Sequence, residues 1–321
     1  RSTLFPYTTL FRSGSAMPAA QPAGDSLAGR VVGTRVFGFS QGERAGRRDD
    51  FVRAVLRGAL EAQYRSGMGR ADYVDLLAAG SMPEACRLPQ RYRADWLESY
   101  VSRLLGRDLR EFSRLSDPRR LRSLLAGLAA AQGSETVVAR LGGAVNLSAS
   151  TTTSYMELLR ALHLVERLPP WTPNLLKREV GRSKYLLTDS ALAMRLTRTS
   201  PDTLKDLVRG GALGGLLEAF VAAELMRQST WCEERFTISH YRSPDGREID
   251  LILELDDGRV IAVEVKAASS ASAADARHLR WLEGRIGDRL AAGVVLTTDD
   301  RSRHLGGRLW AVPVAALWEL G

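Results

Sequence analysis

Hydrophobic residues along the chain follow two different spacings, and the change between them divides the protein into two parts. Between residues 50 and 130 the apolar positions recur every three or four residues, which predicts helices that bury one face in a core. The positions with this spacing are Phe51, Val55, Ala59, Tyr64, Trp96, Tyr100, Leu104, Leu105, Leu121, Leu124, Leu125 and Leu128. After residue 235 apolar and polar residues alternate instead, which predicts strands buried on one face.

The stretch from residue 131 to residue 195 predicts a small helical unit that ends in a hairpin. Its spacing indicates a short helix from Glu135 to Leu141, a turn at Gly142-Gly143, and a second helix with Ser148 as its N-cap. Residues 164–168 then predict the first strand of a wing. The unit is therefore predicted to be a winged helix.

In a winged helix the second helix is the element that enters the major groove of DNA. The hydroxyl-bearing residues on this helix that are predicted to contact bases or phosphates are Ser150, Thr151, Thr153 and Ser154. The exposed face of the helix carries few arginines, so a winged helix that serves only domain packing is the alternative.

A predicted hairpin between residues 248 and 267 carries the clearest chemical pattern. A two-residue turn would mix apolar and polar residues on each face, whereas a three-residue turn, Asp256-Asp257-Gly258, places all the aliphatic partners on one face. The three-residue turn also sets Asp250 opposite Glu264, with their β-carbons about 5 Å apart. Lys266 then lies on the same face as the two acids.

This pair of facing acids predicts a metal site. Two carboxylates repel each other unless a hard cation lies between them, and Mg²⁺ is commonly held by carboxylates together with phosphate oxygens. We therefore expect Asp250 and Glu264 to bind Mg²⁺, which polarises a phosphodiester and acidifies a water molecule. Lys266 can orient that water, accept its proton if burial lowers the lysine pKa, or stabilise charge that develops on phosphorus.

The lysine itself supports this interpretation, because the chain otherwise uses arginine. Among 45 basic residues the lysines are Lys177, Lys184, Lys205 and Lys266. A compact ammonium and a forked guanidinium are not interchangeable in such a position. A surface hairpin whose outer face simply carries charges is the alternative.

A second hairpin turn, Pro244-Asp245-Gly246, predicts a further strand from Phe236 to Arg242. Its register places His240 beside Asp250, and both a structural and a catalytic role stay open for this histidine. Beyond the hairpins the pattern predicts a helix at 274–282, strands at 293–298 and 309–312, and a closing helix from residue 314. This alternation is typical of a mixed sheet covered by helices.

The segments at 248–251, Glu-Ile-Asp-Leu, and 264–267, Glu-Val-Lys-Ala, resemble the PD-(D/E)xK motif of restriction-endonuclease-like nucleases. The resemblance implies an α/β fold, in which a mainly helical N-terminal part with the winged helix precedes a restriction-endonuclease-like mixed sheet flanked by helices. It also implies that a helix before the sheet supplies another acid, and residues 215–225 match that helix. Glu218 is the predicted additional metal or water ligand and Glu224 a second, buried candidate; an ordinary helix-surface acid is the alternative for either.

Composition and charge limit the classes of function. The 321-residue chain is 45% hydrophobic, which is enough for more than one core, and it has no apolar run of membrane-spanning length. Cys86 and Cys232 have no metal-binding spacing, so we expect no structural zinc and a cytoplasmic location with free thiols.

The net charge of +8 is unevenly distributed along the chain. Residues 1–200 carry 30 basic and 18 acidic side chains, whereas residues 201–321 carry 15 and 19. The N-terminal part is therefore expected to bind a phosphate backbone. A GC-rich genome that favours arginine codons is the alternative explanation.

The beginning of the chain is expected to contain no native folded protein. Residues 1–13 repeat Thr-Leu-Phe and resemble a translated sequencing adapter, and residues 14–24 form a proline-containing linker. Segments at 25–31 and 37–43 resemble the end of the ATPase domain in a prokaryotic family of AAA-type ATPases. Members of that family continue into a winged helix and a C-terminal domain of unknown function, DUF4143, and the resemblance covers nearly everything after residue 24.

This resemblance implies an ATPase remnant at 25–45, a helical segment at 46–130, a winged helix at 131–195 and a nuclease-like domain at 205–321. A P-loop requires Gly-Lys followed by Ser or Thr, and no lysine here follows a glycine. We therefore expect ATP to bind only in an upstream domain that this chain lacks. Any contact that forms a homo-oligomer would also belong to that domain.

Together the patterns favour Mg²⁺-dependent hydrolysis of DNA phosphodiester bonds by the C-terminal domain, with DNA as the partner and no membrane involvement. The alternative is a non-catalytic module that binds DNA or another protein, within an ATPase whose ATP site lies outside this chain. Whether the chain is an enzyme stays open at this stage.

Overall fold

The computed structural model of the protein describes residues 35–108, 117–172, 181–208 and 210–320. The expectations for residues 1–24 and for the ATPase-like segment at 25–31 lie outside these described residues. Within the described ranges, roughly the first two hundred residues are mainly helical and the rest form a sheet flanked by helices. The mixed α/β class predicted from the spacing is therefore confirmed.

Nine α-helices occupy the described ranges before residue 206. They are α1 (Gln41–Arg44), α2 (Phe51–Leu56), α3 (Arg70–Ala79), α4 (Gln90–Arg103), α5 (Pro118–Ala130), α6 (Val138–Ala144), α7 (Ala149–Ala161), α8 (Ser190–Thr197) and α9 (Pro201–Lys205). The start of α5 shows why such segments become helical: the Asp117 side chain accepts two N–H groups of the first turn, and Pro118 occupies the first helical position. The apolar stripe of α5 is buried as predicted, at Leu121, Leu124, Leu125 and Leu128.

Helices α6 and α7 lie in the stretch predicted to be a helix-turn-helix, and the antiparallel strands β1 (Val165–Leu168) and β2 (Lys184–Leu187) follow them. The predicted turn at Gly142-Gly143 was wrong, because α6 continues through both glycines and Asn146 adopts the left-handed φ of 56° after it. Gly142 lies so close to α7 that an added Cβ would meet the Thr152 hydroxyl at 2.0 Å. This glycine therefore permits close helix packing rather than a turn.

A six-stranded mixed sheet forms the centre of the C-terminal part. Its strands are β3 (Phe236–Arg242), β4 (Glu248–Leu255), β5 (Val260–Lys266), β6 (Leu290–Thr297), β7 (Arg303–Gly306) and β8 (Leu309–Pro313). The spatial order is β3-β4-β5-β6-β8-β7, with β5, β6 and β8 parallel and the other neighbours antiparallel. The edge strand β7 was not predicted, because its four residues show no apolar alternation.

Helices α10 (Leu213–Gln228), α11 (Arg277–Ile286) and α12 (Ala316–Glu319) cover the sheet. On one side, Leu251 and Val263 of the sheet join the core that α10 shares with the N-terminal helices. On the other side, Ile252 and Ala262 pack with the apolar residues of α11. Among the described helices, none is both long and apolar enough to cross a bilayer.

Candidate functional site

The hairpin of β4 and β5 adopts the register that the three-residue turn predicted. Leu251 pairs with Val263 and Leu253 pairs with Ile261, which makes Asp250 and Glu264 the next pair toward the open end. The Leu255 N–H donates to the Arg259 carbonyl at 2.9 Å across the turn. Gly258, the third turn residue, has the left-handed φ of 84° that glycine accommodates without strain.

Asp250, Glu264 and Lys266 meet where β4 begins and β5 ends. Asp250 Oδ2 accepts the Val265 N–H at 2.8 Å, and Lys266 Nζ donates to Glu264 Oε2 at 2.8 Å. Glu264 Oε1 is buried and has no hydrogen-bond partner. The Glu264 side chain is only 4% exposed, whereas that of Lys266 is 34% exposed, so the site reaches solvent on the lysine side.

A second lysine, which the sequence did not single out, lies in the same site. Lys184, the first residue of β2, is 2% exposed, and its Nζ donates to Glu218 Oε1 of α10 at 2.8 Å. The same Nζ lies 3.0 Å from Glu248 Oε1 and 3.9 Å from Asp250 Oδ1. We refer to Glu218, Glu248, Asp250 and Glu264, with Lys184 and Lys266, as the acidic cluster.

The rarity of lysine is the signal that could have found Lys184. The same argument that drew attention to Lys266 applies to every lysine of this arginine-rich chain. Glu248 was within the motif-like segment at 248–251 but was given no role. The structure connects it to Lys184 on the buried side and, at 3.4 Å, to the half-exposed Arg242 on the other.

The protonation of the acidic cluster follows from burial and from an excess of acids. The pKa of Glu218 and that of Glu264 are both raised to about 8, first because burial disfavours a charged carboxylate and then because the charge of Asp250 repels a second one. Lys184 and Lys266 oppose these shifts without cancelling them.

Both lysines keep their charge in this environment. Burial alone would lower the pKa of Lys184, but the nearby carboxylates, Glu218 foremost, raise it above its usual range. For Lys266 burial acts in the same direction and the charges of Glu264 and Asp250 again outweigh it, so its pKa is raised. The condition under which Lys266 would accept a proton, a pKa lowered by burial, is therefore not met.

Two histidines lie near the acidic cluster. His278 of α11 has Nδ1 2.7 Å from the Glu248 carbonyl oxygen and 3.8 Å from Glu264 Oε1. On the turn side of β3 the register is the predicted one, with Tyr241 paired with Ile249, and β3 has a bulge between Ser239 and Tyr241; the His240 ring makes no hydrogen bond to Asp250. The His240 Nε2 instead lies 3.1 Å from the Arg182 carbonyl oxygen, and burial lowers the pKa of this histidine to about 4.

Glu224, the second candidate on α10, lies outside the acidic cluster. Its Oε1 accepts from Arg227 at 2.8 Å, and its Oε2 accepts the Gln41 N–H at 2.9 Å. Because both oxygens are bonded and the side chain is fully buried, Glu224 serves the contact between α10 and α1.

The residues predicted to contact nucleic acid begin helix α7. Ser150, Thr153 and Ser154 are exposed, and Thr151 is half-buried. The hydroxyls of Thr153 and Ser154 donate to backbone carbonyls one turn earlier, at 3.1 and 3.2 Å, and that of Thr151 lies 2.8 Å from the Ser148 hydroxyl. These four residues therefore present a polar surface at the start of α7.

A groove of about 720 Å³ between α4, α5 and α8 is lined by residues outside the acidic cluster. Its lining contains four arginines, of which three are already engaged. Arg93 donates to the Ala78 carbonyl at 2.7 Å, and Arg122 and Arg195 both pair with Glu98. The acidic cluster, with its unpartnered carboxylate oxygen, is the stronger candidate site.

The predicted metal ligands do not meet as a ready-made triad. No group of three or more His, Cys, Asp or Glu side chains within the described ranges is arranged to hold a metal ion. Asp250 and Glu264 face each other on neighbouring strands, whereas Glu218 is bonded to Lys184. What the arrangement offers a cation is the pair of strand carboxylates, with hard oxygen donors of the kind that Mg²⁺ and Mn²⁺ accept.

In a comparison with known protein families, the helical N-terminal part and the C-terminal sheet each match a different family. Residues 213–317 match the family described as Domain of unknown function (DUF4143), which agrees with the resemblance noted for the C-terminal part. Residues 70–203 match a second family, Domain of unknown function (DUF8612), which was not anticipated. Lys184 belongs to the second match, and the four carboxylates of the acidic cluster belong to the first.

Two similar relatives come from mycobacteria. The chain is 26% identical over 260 residues to the Uncharacterized protein Mb2031c of Mycobacterium bovis and, to the same extent, to the Uncharacterized protein Rv2008c of Mycobacterium tuberculosis. The alignments cover 81% of this chain and 52% of each relative, so the chain spans about half the length of the curated relatives it matches. No solved structure matches the chain.

Proposed function

We propose that the C-terminal part of this protein hydrolyses phosphodiester bonds of DNA with the help of Mg²⁺, and that its fold is restriction-endonuclease-like. The observation that carries the proposal is the meeting of Asp250, Glu264 and Lys266 on one hairpin, with Glu264 Oε1 buried and unpartnered. An unpartnered buried carboxylate oxygen is costly, and such costs are commonly retained where a ligand binds. The resemblance of the two segments to the PD-(D/E)xK motif supports the same reading.

The donor set fits Mg²⁺. Asp250 and Glu264 supply carboxylate oxygens from adjacent strands. Burial first and then the charge of Asp250 raise the pKa of Glu264, and a bound cation would relieve the repulsion between the two carboxylates. When bound, Mg²⁺ would supply Lewis acidity toward the phosphate and lower the pKa of a water molecule. Lys184 already bonds Glu218 Oε1, so Glu218 is proposed as an additional ligand only through its other carboxylate oxygen.

The side chains of the acidic cluster have separable tasks in this proposal. The Val265 N–H orients Asp250, and Lys266 orients Glu264 through its 2.8 Å hydrogen bond. Since Lys266 stays protonated and is partly exposed, it is placed to attract the phosphate and to stabilise negative charge on it. His278, which bonds the Glu248 carbonyl, positions the start of β4.

Nucleic-acid binding would involve the N-terminal part. Helices α6 and α7 with the β1–β2 hairpin are proposed to form a winged helix, with Ser150, Thr151, Thr153 and Ser154 toward DNA. The excess of basic residues before residue 201 favours the same partner. By its resemblance, the chain would work within a AAA-type ATPase in the cytoplasm, with ATP and any homo-oligomer contact belonging to the ATPase domain.

A non-catalytic module is the second candidate, and one observation favours it. Lys184 already forms salt bridges with Glu218 and Glu248, so part of the acidic cluster is stabilised without any metal. In this reading the C-terminal part binds DNA or another protein, and the ATPase to which it belongs performs the chemistry.

Supercoiled plasmid incubated with the purified protein and Mg²⁺ separates the two candidates. Nicking or linearisation that disappears in Glu264→Ala and Asp250→Asn supports hydrolysis. Asp257→Asn is the matched control, because Asp257 is an exposed acid at the tip of the same hairpin and pairs with Arg259. Plasmid that is retarded on a gel but never cut, with or without Mg²⁺ or Mn²⁺, would exclude the nuclease and leave the binding module.

A further inference from the structure

Lys184 reaches the acidic cluster from a different part of the protein than the acids do. Its backbone belongs to β2, which pairs with β1 after the helix-turn-helix, whereas its ammonium group lies between Glu218 of α10 and Glu248 of β4. The two salt bridges, at 2.8 and 3.0 Å, are buried on the lysine side. A lysine in such a place cannot be explained by solvation of a surface strand.

The backbone around Lys184 is bonded to two neighbouring segments. Lys184 pairs with Leu168 of β1 and bridges to Glu135 on its other side. The preceding residue, Ser183, accepts the Thr136 N–H at 3.0 Å through its carbonyl oxygen. Strand β2, which carries Lys184, thus has backbone contacts on both sides.

The charges of the acidic cluster leave room for one divalent cation. When all four carboxyl groups are ionised they face two ammonium groups, so two negative charges remain, apart from the half-exposed Arg242, whose attraction for Glu248 is screened by solvent. Lys184 contacts Glu218 and Glu248, and Lys266 contacts Glu264 Oε2. The buried carboxylate oxygen without a hydrogen-bond partner is Glu264 Oε1, on the strand next to Asp250.

We propose that Lys184 is a built-in cation of this site: its ammonium holds Glu218 and Glu248 in place of a second metal ion, so that the protein binds a single divalent ion at Asp250 and Glu264. The inference rests on the proposed metal site but not on cleavage of DNA. It makes Lys184 a positioning residue contributed by the DUF8612-matching part to a site in the DUF4143-matching part.

Counting bound Mn²⁺ tests this directly on the full chain, by isothermal titration calorimetry and by the electron paramagnetic resonance signal of free Mn²⁺. The wild type is expected to bind one ion per chain. Lys184→Met, which removes the charge but keeps an unbranched apolar side chain, is expected to bind two, because Glu218 and Glu248 then need a cation. Glu264→Gln is expected to weaken the single wild-type ion about 10- to 100-fold.

Two further variants act as controls. Lys205→Met removes another lysine that is paired with a carboxylate, Asp75 at 2.7 Å, outside the acidic cluster, and it should leave one ion per chain. Lys184→Met combined with Glu218→Gln removes both members of the buried pair, and it should return the count from two ions to one.

The possible outcomes separate the inference from the proposed function. Two ions per wild-type chain, or one ion in a folded Lys184→Met chain, would overturn the role of Lys184 while leaving a metal site in place. No ion in the wild type would overturn both. One ion in the wild type without DNA cleavage would remove the nuclease but keep the built-in cation. If Lys184→Met folds only when Mn²⁺ is added, the number of Mn²⁺ ions bound per folded chain still decides between these outcomes.

Discussion

Helix α10 carries two buried glutamates six residues apart, and their surroundings differ in a way that separates structure from chemistry. Glu224 belongs to a network with Gln41, Asp49, Arg227 and Gln228, which we refer to as the Arg227 network. Glu218 belongs to the acidic cluster. Both glutamates are buried, and burial raises the pKa of both, so neither burial nor a shifted pKa distinguishes them.

The difference lies in satisfied hydrogen bonds. In the Arg227 network, Glu224 is paired with one guanidinium, and Arg227 also donates to the Gly38 and Thr188 carbonyls. The Gln228 amide likewise bonds the Phe51 N–H and the Leu317 carbonyl. In the acidic cluster, the buried Glu264 Oε1 has no hydrogen-bond partner. An unsatisfied buried carboxylate oxygen, rather than burial, therefore marks the candidate site.

The largest loss of stability is expected when the Arg227 network is broken. Arg227→Ala leaves Glu224 as an unpaired buried charge and deprives two carbonyls of their donor, so the free energy of unfolding should fall by about 3–5 kcal/mol. Urea unfolding measured against the wild type gives this value. A loss below about 1 kcal/mol would mean that the Arg227 network is not the structural element described above.

The next effect is the stabilisation of the protein by a cation that binds the acidic cluster. Adding Mn²⁺ at about 100 times its dissociation constant should stabilise the wild type by about 2.7 kcal/mol, because the ion binds only the folded state. Differential scanning fluorimetry should show a rise in Tm for the wild type and for Asp257→Asn. Glu264→Gln, with affinity weakened about 10- to 100-fold, should show a smaller rise that corresponds to about 0.4–1.4 kcal/mol, and a rise equal to that of the wild type would place the ion elsewhere.

A smaller effect is expected from pH. The pKa of Glu264 in the folded protein is raised from 4.5 to about 8, so the stability linked to its proton is present below pH 4.5 and is lost as the pH rises through about 8. Glu264→Gln does not titrate, so its unfolding free energy should gain on that of the wild type between pH 5 and pH 8.5, by at least about 1.4 kcal/mol, the value for a single pKa unit. Urea unfolding at both pH values measures the gain, and a constant difference would contradict the raised pKa.

The smallest effect on stability is expected at the exposed start of α7, a third kind of polar surface. Ser150→Ala and Thr153→Ala should change the unfolding free energy by less than about 0.5 kcal/mol. If α7 contacts DNA, the same changes should weaken binding of a short duplex, measured by fluorescence anisotropy, by about 0.5–1.5 kcal/mol each. Unchanged binding would favour a helix-turn-helix used only for packing.

Local features of this protein can be predicted from its amino-acid sequence alone. The β4–β5 register followed from Gly258 and from the alternation of aliphatic residues, because a one-residue slip would have put that whole set on the wrong face. The buried stripe of α5 followed from its helical spacing in the same way. These features depend on neighbours within about a dozen residues, so a single sequence contains the information.

Which distant groups come together is known only from the folded chain. The choice between Glu218 and Glu224 depends on how α10 is rotated against β2 and α1, and the β3 bulge next to His240 has no signature in the alternation. Lys184 reaches Glu218 across 34 residues of chain. The favourable energy of that contact comes from pairing charges that folding has already buried together, and local spacing cannot encode such a pairing.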